Sequence, residues 1–168
     1  MKEKNETPIL IKKEFLYNLD LEDEFFSSLR VDYKGFDEWF LKKQKDEEMA
    51  YVTLSSDNKV TSFLMLKEED ETEDYSSFEN PFNPGKRLKV STFKVSDVGK
   101  KIGEEFIRII IDEAIKKEID EIYITTFEKQ QSLIHLLKQN GFELFTYKDS
   151  TKCDNTVEKE AVYVKNLE

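Results

Sequence analysis

The sequence predicts an α/β (α+β) protein whose mixed sheet is mostly antiparallel and carries helices on both faces. Patterns typical of strands and helices follow one another in the order β α α β β β α β α β β. The strand–helix–strand unit over 87–127 requires a parallel pair of strands. Hairpins on either side of this unit make the other pairs antiparallel. With no internal repeat and no second apolar centre, residues 1–168 are expected to form a single domain.

The first half of the chain supplies a strand, two helices and a hairpin. Apolar residues recur at helical spacing on either side of Gly35, and a Ser-Asp-Asn turn separates two runs rich in β-branched residues. The predicted elements are a strand over 7–15, helices over 21–33 and 36–48, and strands over 49–55 and 59–67.

The second half begins with a polar loop rich in acid, serine and proline. In the longest predicted helix, apolar residues repeat at helical spacing. Gly141 suits the left-handed position after a helix, with Phe142 folding back on Leu137. The predicted elements are a loop over 68–86, strands over 87–95, 120–127, 143–149 and 160–166, and helices over 103–117 and 130–139.

The composition excludes several classes of function. A net charge of −10 disfavours nucleic acid and anionic membranes as partners. No signal core and no spanning apolar run are present, so a soluble cytoplasmic protein is expected, and no membrane partner. His135 and Cys153 are the only residues of their types, which disfavours a zinc site. A serine–histidine triad would need His135, whose leucine-rich surroundings favour a packing role.

The stretch VGKKIG, residues 98–103, joins a predicted strand to a predicted helix. Free N–H groups at the start of a helix, together with its dipole, suit phosphate oxygens. Glycine lets the backbone approach a ligand closely, and Lys100 and Lys101 add positive charge. The mononucleotide and dinucleotide glycine motifs are both absent. The stretch is interpreted either as a pyrophosphate site or as a plain turn with solvated lysines.

The wider pattern resembles the GNAT superfamily of acyl-CoA-dependent N-acetyltransferases over nearly the whole chain. The resemblance rests on the element order, on the strand–turn–helix over 87–117 and on the helix that ends in LLKQNGF. In the family's first motif, Arg or Gln is followed by two residues, a Gly, one residue and a Gly or Ala. Here Val98 replaces the Arg or Gln, Lys101 replaces the middle glycine, and Gly103 fits.

The resemblance implies a GNAT-like acyltransferase fold with acetyl-CoA as co-substrate and no metal. Strand 87–95 would splay from strand 120–127, and the pantetheine arm would lie between them. The implied cofactor-binding residues are Phe93, Lys94 and Val95 for the arm, Val98, Gly99, Lys100, Lys101, Ile102, Gly103 and Glu104 for the pyrophosphate, and Gln130 near the thioester.

The implied reaction moves an acetyl group to an amine, which must lose a proton. Glu68, Glu69 and Glu128 are candidate bases, and each is also explained as a solvated surface carboxylate. Family members often place a tyrosine acid four residues before the Gly-Phe pair, and this chain has Leu137 there. A thiol with a pKa near ~8.5 can leave without that acid.

The acidic run EEDETED over 68–74 has two interpretations. It is either a solvated segment or a negative rim that attracts a cationic acceptor. Tyr75, Phe78 and Phe82 follow it, and they either fold over the site or anchor the loop.

The leading prediction is an N-acetyltransferase that acts on a small-molecule or peptide amine. Val98 and Leu137 motivate the first alternative, a non-catalytic acyl-CoA-binding or regulatory module. The second is a protein-interaction domain that has lost the cofactor site. A homodimer is left open.

Overall fold

The computed structural model describes residues 10–96 and 101–168. Within them, seven strands form a single sheet in the order β1-β2-β3-β4-β5-β7-β6. β4 and β5 are parallel, and the other neighbouring strands are antiparallel. The strands are β1 (Lys12–Phe15), β2 (Met49–Leu54), β3 (Val60–Glu69), β4 (Arg87–Val95), β5 (Glu121–Phe127), β6 (Glu143–Thr151) and β7 (Val157–Asn166). The predicted mixed, mostly antiparallel sheet is confirmed.

Helices cover both faces of the sheet, as predicted, and each face has its own apolar core. α3 and α4 pack against one face, where Leu88, Val90 and Ile124 are buried. α1 and α2 cover the other face, where Phe26 and Phe63 are buried. The helices are α1 (Ser27–Asp32), α2 (Phe36–Lys45), α3 (Ile102–Lys116) and α4 (Gln131–Gln139). None of these described helices is long and apolar enough to cross a membrane.

The first helix is shorter than the sequence predicts. A helix was expected over 21–33, whereas α1 begins at Ser27, after a 3-10 turn over Glu24–Phe26. The carboxylate of Asp23 explains the difference, because it accepts a hydrogen bond from the Phe25 amide and another from the Val60 amide of β3. An α-helix through Asp23 would break both bonds.

The loop over 70–86 is anchored to the sheet by aromatic side chains. Tyr75, Phe78 and Phe82 are buried against Tyr123 of β5 and Val162 of β7. Of the two alternatives for these aromatics, the structure favours the anchor.

Two backbone hydrogen bonds join the turn between α1 and α2 to the β6–β7 hairpin. The Lys34 amide donates to the carbonyl of Thr151 over 2.9 Å, and the Cys153 amide donates to the carbonyl of Val31 over 3.1 Å. These two parts of the chain thus meet above the α1–α2 face of the sheet. The contact is called the bridge below.

Gly141 ends α4 with a φ of 82°, and the Phe142 amide donates to the Leu137 carbonyl as predicted. Gly141→Ala is expected to lower the free energy of unfolding by about 1–2 kcal/mol, because a Cβ disfavours left-handed backbone. That Cβ would also lie 2.8 Å from Lys165 Nζ. Urea unfolding measures the change. Gly85→Ala is the matched control, since its Cβ has ordinary space. Equal effects at the two glycines would contradict the assignment.

Candidate functional site

β4 and β5 are neighbours along only part of their length. Their parallel pairing covers three residue pairs and ends where Val90 pairs with Ile124. From Ser91 onward β4 pairs only with β3, and from Thr125 onward β5 pairs only with β7. The two strands therefore diverge. The edge of β4 that faces β5 presents backbone groups without a strand partner among the described residues, and such groups require a partner when they are buried.

A bulge lies where the divergence begins. Met65 of β3 pairs with Thr92, and Leu66 pairs with Val90, so Ser91 has no partner across the ladder. Bulges often re-aim backbone groups beside functional sites. Here the bulge lies at the closed end of the gap between the strands.

A cavity of about 800 Å³ fills this gap. It is called the V-cleft here, and residues of β4 (Ser91–Val95) and of β5 (Thr125–Phe127) form two of its sides. Gly103 of α3, Gln130 before α4 and residues of α1 and α2 also line it. Of the predicted cofactor-binding residues, the structure places Phe93, Lys94, Val95, Gly103 and Gln130 around this one cavity.

The other predicted cofactor residues have different surroundings. Ile102 is buried in the core under α3, and Glu104 lines a separate depression between α3 and α4. Lys101 is exposed at the N-cap of α3, and its side chain makes no capping hydrogen bond to the first-turn N–H groups. Val98, Gly99 and Lys100 lie outside the described residues.

Gly103 allows α3 and α4 to pack closely, and it also leaves room for a ligand to approach the backbone. A Cβ at this position would approach Leu136 Cδ2 of α4 to 3.0 Å, a tight contact. The sequence interpretation assigned this glycine to close approach by a ligand. The geometry adds that α3 and α4 come together here at the wall of the V-cleft.

A buried glutamate and a tyrosine face each other in the V-cleft. Glu160 of β7 is 1% exposed, and the Tyr33 hydroxyl donates to its Oε2 over 2.9 Å. The Tyr33 ring packs against Phe127, with the ring centroids 5.4 Å apart. Burial raises the pKa of Tyr33 far above its ordinary value, and the nearby Glu160 carboxylate raises it further. Tyr33 therefore stays protonated and orients Glu160 as a hydrogen-bond acceptor.

The carboxylates predicted from the sequence occupy other places. Glu68 is exposed and lies 3.4 Å from Lys117, below α3. Glu128 is exposed after β5. Glu69 is 4% exposed and accepts hydrogen bonds from Tyr75, over 2.9 Å, and from Tyr123. None of the three lines the V-cleft.

The acidic run is largely engaged in local bonds. Asp70 accepts a hydrogen bond from the Thr72 amide, and Asp74 accepts one from the Ser76 amide. Glu73 lies 3.1 Å from Lys67. Within the described residues, no group of three or more His, Cys, Asp or Glu side chains is arranged to hold a metal ion.

Sequence reasoning missed Glu160 and Tyr33. Glu160 was read only as the first residue of a strand, and Tyr33 as the end of a helix. They are 127 positions apart, and no local pattern links them. At Leu137, where the family often has tyrosine, the side chain is 1% exposed and belongs to the core under α3.

Neither a protein-family model nor a curated protein sequence matches the chain significantly. Solved structures do match over most of its length. An N-acetyltransferase from Staphylococcus aureus Mu50 superposes with a TM-score of 0.67 at 16% identity, covering 96% of this chain and 100% of that one. A GNAT superfamily phosphinothricin acetyltransferase from Sinorhizobium meliloti, in complex with acetyl-CoA, gives 0.65 at 13% identity, covering 95% and 88%.

A third match is NAA60 from Arabidopsis thaliana in complex with acetyl-CoA. Its TM-score is 0.65 at 12% identity, and the alignment covers 94% of this chain and 99% of that one. All three proteins are far below the identity at which function can be transferred. The predicted architecture is confirmed: the chain has the GNAT acetyltransferase fold, in a form that is divergent in sequence.

Proposed function

We propose that the chain is an acetyl-CoA-dependent N-acetyltransferase. The V-cleft carries this proposal, because it lies where two parallel strands separate and leave the edge of β4 without a strand partner among the described residues, in a cavity of about 800 Å³. An extended chain can bind such an edge through backbone hydrogen bonds. Solved structures with this fold include complexes with acetyl-CoA or CoA, which supports the same ligand here.

The residues around the V-cleft fit the two ends of acetyl-CoA. Its pantetheine arm would run along the backbone of Phe93, Lys94 and Val95, with Gln130 near the thioester end. Its phosphates would lie at the start of α3, where the first-turn N–H groups and the helix dipole favour anions. Gly103 keeps the adjoining wall of the cleft free of a side chain.

Acetyl-CoA supplies an activated acetyl group. A C–N bond to the amine forms, the C–S bond breaks, and the amine loses a proton. Glu160 would take that proton, directly or through one water, because it is a buried carboxylate in the cleft whose side-chain partner among the described residues is a tyrosine hydroxyl. Free N–H groups of β4 near Ser91 would stabilise negative charge on the carbonyl oxygen.

A non-catalytic acyl-CoA-binding module is the second candidate. The core position of Leu137 favours it, because that side chain can neither donate a proton nor reach the cleft as a tyrosine would. Such a module would bind acetyl-CoA without releasing CoA from it. The acceptor in the leading proposal is a small-molecule or peptide amine.

Saturating acetyl-CoA is expected to raise the melting temperature. At a concentration 100 times its Kd, a ligand stabilises the folded state by about 2.7 kcal/mol, which a thermal shift assay detects. Release of free thiol in the presence of amines then separates the enzyme from the module. No shift at millimolar acetyl-CoA would rule out both and would favour the protein-interaction domain.

A further inference from the structure

The lining of the V-cleft has the opposite sign from the protein as a whole. The chain has a net charge of −10, yet among the residues that the structure describes, seven lysines and two carboxylates line this cavity. Both carboxylates already have partners: Asp32 lies 2.6 Å from Lys129, and Glu160 accepts the Tyr33 hydroxyl. An excess of positive charge therefore faces the space that ligands would enter.

Part of this charge lies away from the expected phosphate site. Leu88 and Val90 belong to the core under α3, so Lys89 between them points to the opposite face of the sheet. Lys89 also lies at the closed end of the V-cleft, next to the last paired residue of β4. The seven residues of strand from Lys89 to Val95 span about 20 Å. Phosphates at the start of α3 are thus too far away to neutralise Lys89.

Lys89 and Lys148 lack a fixed counter-ion. Neither forms a salt bridge among the residues that the structure describes, whereas neighbouring Lys67 lies 3.3 Å from Glu69 and 3.1 Å from Glu73. Burial lowers the pKa of Lys89 and the charge of Lys148 lowers it further, while the carboxylates of Glu69 and Glu160 offset part of this effect without forming an ion pair with Lys89. An ammonium that is half-buried without a partner is unfavourable. An anion between Lys89 and Lys148 would remove this cost.

Both lysines lie on the strands that form the bottom of the V-cleft, where the acceptor would meet the acetyl group. Lys148 of β6 pairs across the ladder with Glu160, the proposed proton acceptor. Lys89 of β4 adjoins the point where the strands diverge. An anionic group held by these two ammonium groups would lie beside Glu160, within the length of a small molecule.

We propose that the acceptor is a small amine that also carries an anionic group, a carboxylate or a phosphate, bound between Lys89 and Lys148. This inference rests on the proposed N-acetyltransferase function and names its substrate class. The proposed acceptor carries an anionic group, whereas the acidic run predicted a cationic acceptor. That expectation placed free carboxylates at the entrance, whereas Asp70, Glu73 and Asp74 are engaged locally and Glu68 lies on the α3 side.

The test compares matched amines by isothermal titration calorimetry with saturating CoA. One pair is β-alanine and β-alaninamide, and the other is O-phosphoethanolamine and ethanolamine. In at least one pair, the anionic amine is expected to bind about tenfold tighter or more, as for hydrogen bonds to charged groups. The carboxylate pair and the phosphate pair then identify which anion is preferred.

Variants locate the binding site. Lys89→Met and Lys148→Met keep side-chain length without charge, and each is expected to abolish most of the preference. Lys116→Met is the matched control, because this lysine is exposed at the end of α3, away from the cleft. Melting curves confirm that each variant is folded.

Three outcomes would overturn the inference: no binding by any of the four amines, equal binding within both pairs, or a preference that survives in both lysine variants. Thiol release from acetyl-CoA is measured separately with the same amines. A charge preference without thiol release would contradict only the transferase proposal. Thiol release with equal affinity for charged and neutral amines would contradict only the anion site.

Discussion

Glu160→Gln is expected to lower kcat about 10²–10⁴-fold, the usual range for loss of a general base. Glutamine has nearly the same volume, and its side-chain oxygen can still accept the Tyr33 hydroxyl, so the fold is preserved. The amide cannot take a proton from the amine. Initial rates of thiol release measure kcat, and the affinity for acetyl-CoA is expected to stay unchanged because Glu160 is not among the predicted cofactor contacts, which lie on β4, on α3 and at Gln130.

The matched control for this substitution is Glu143→Gln. Glu143 is an exposed glutamate on β6 with no ion pair among the described residues, and it is remote from the V-cleft lining. Its replacement is expected to leave kcat unchanged. If both variants retained the parent kcat, a group other than Glu160, or water, would have to accept the proton.

Phe26→Ala is expected to have the largest effect on stability. Phe26 is fully buried, and its ring contacts those of Phe25, Phe36, Phe40 and Phe63 at centroid distances of 5.0–6.2 Å. Truncation would leave a cavity between the α1–α2 layer and β3, at a cost of about 3–5 kcal/mol. This is a large fraction of the roughly 5–15 kcal/mol that stabilises a typical domain. Urea unfolding measures the loss.

Val31→Ala provides the control on the same helical layer. Val31 is 56% exposed on α1, so its truncation is expected to change stability by less than about 0.5 kcal/mol. The loss of unfolding free energy for Phe26→Leu should fall between those of Phe26→Ala and Val31→Ala, because leucine fills part of the space. Similar losses at Phe26 and Val31 would mean that the aromatic cluster does not hold α1 and α2 to the sheet.

The sequence predicts the elements well where a single pattern determines them. β4 has the predicted bounds of 87–95, because its alternation and its flanking turns are local. β6 and β7 extend well beyond the predicted 143–149 and 160–166, to Thr151 and from Val157. The polar residues at the hairpin end of these two strands predicted a loop. Backbone hydrogen bonds across a hairpin form regardless of side-chain polarity, so the strands continue.

The candidate site was predictable only in part. The diverging strands were implied only by the resemblance, because strands at these places in the chain separate in the resembled family. Tyr33, Lys89, Lys148 and Glu160 come from four separate elements. They meet because each projects to the same side of the sheet, Tyr33 from the end of α1 and the other three from β4, β6 and β7. A single sequence contains the alternation within each strand but not the register between strands, so it cannot show that they meet.

In the proposed transferase, the bridge between the α1–α2 turn and the β6–β7 hairpin would limit how an acceptor enters. Its two backbone hydrogen bonds, with a further contact from Lys34 Nζ to the Asn155 side chain over 2.6 Å, form an arch over this side of the V-cleft. A continuous polypeptide would be unable to cross the strands at the bottom of the V-cleft without breaking these hydrogen bonds. A metabolite, or the free end of a polypeptide, would be able to enter the V-cleft beneath the arch. If the V-cleft binds an acceptor as proposed, the arch would act as a size filter that admits termini and excludes internal segments.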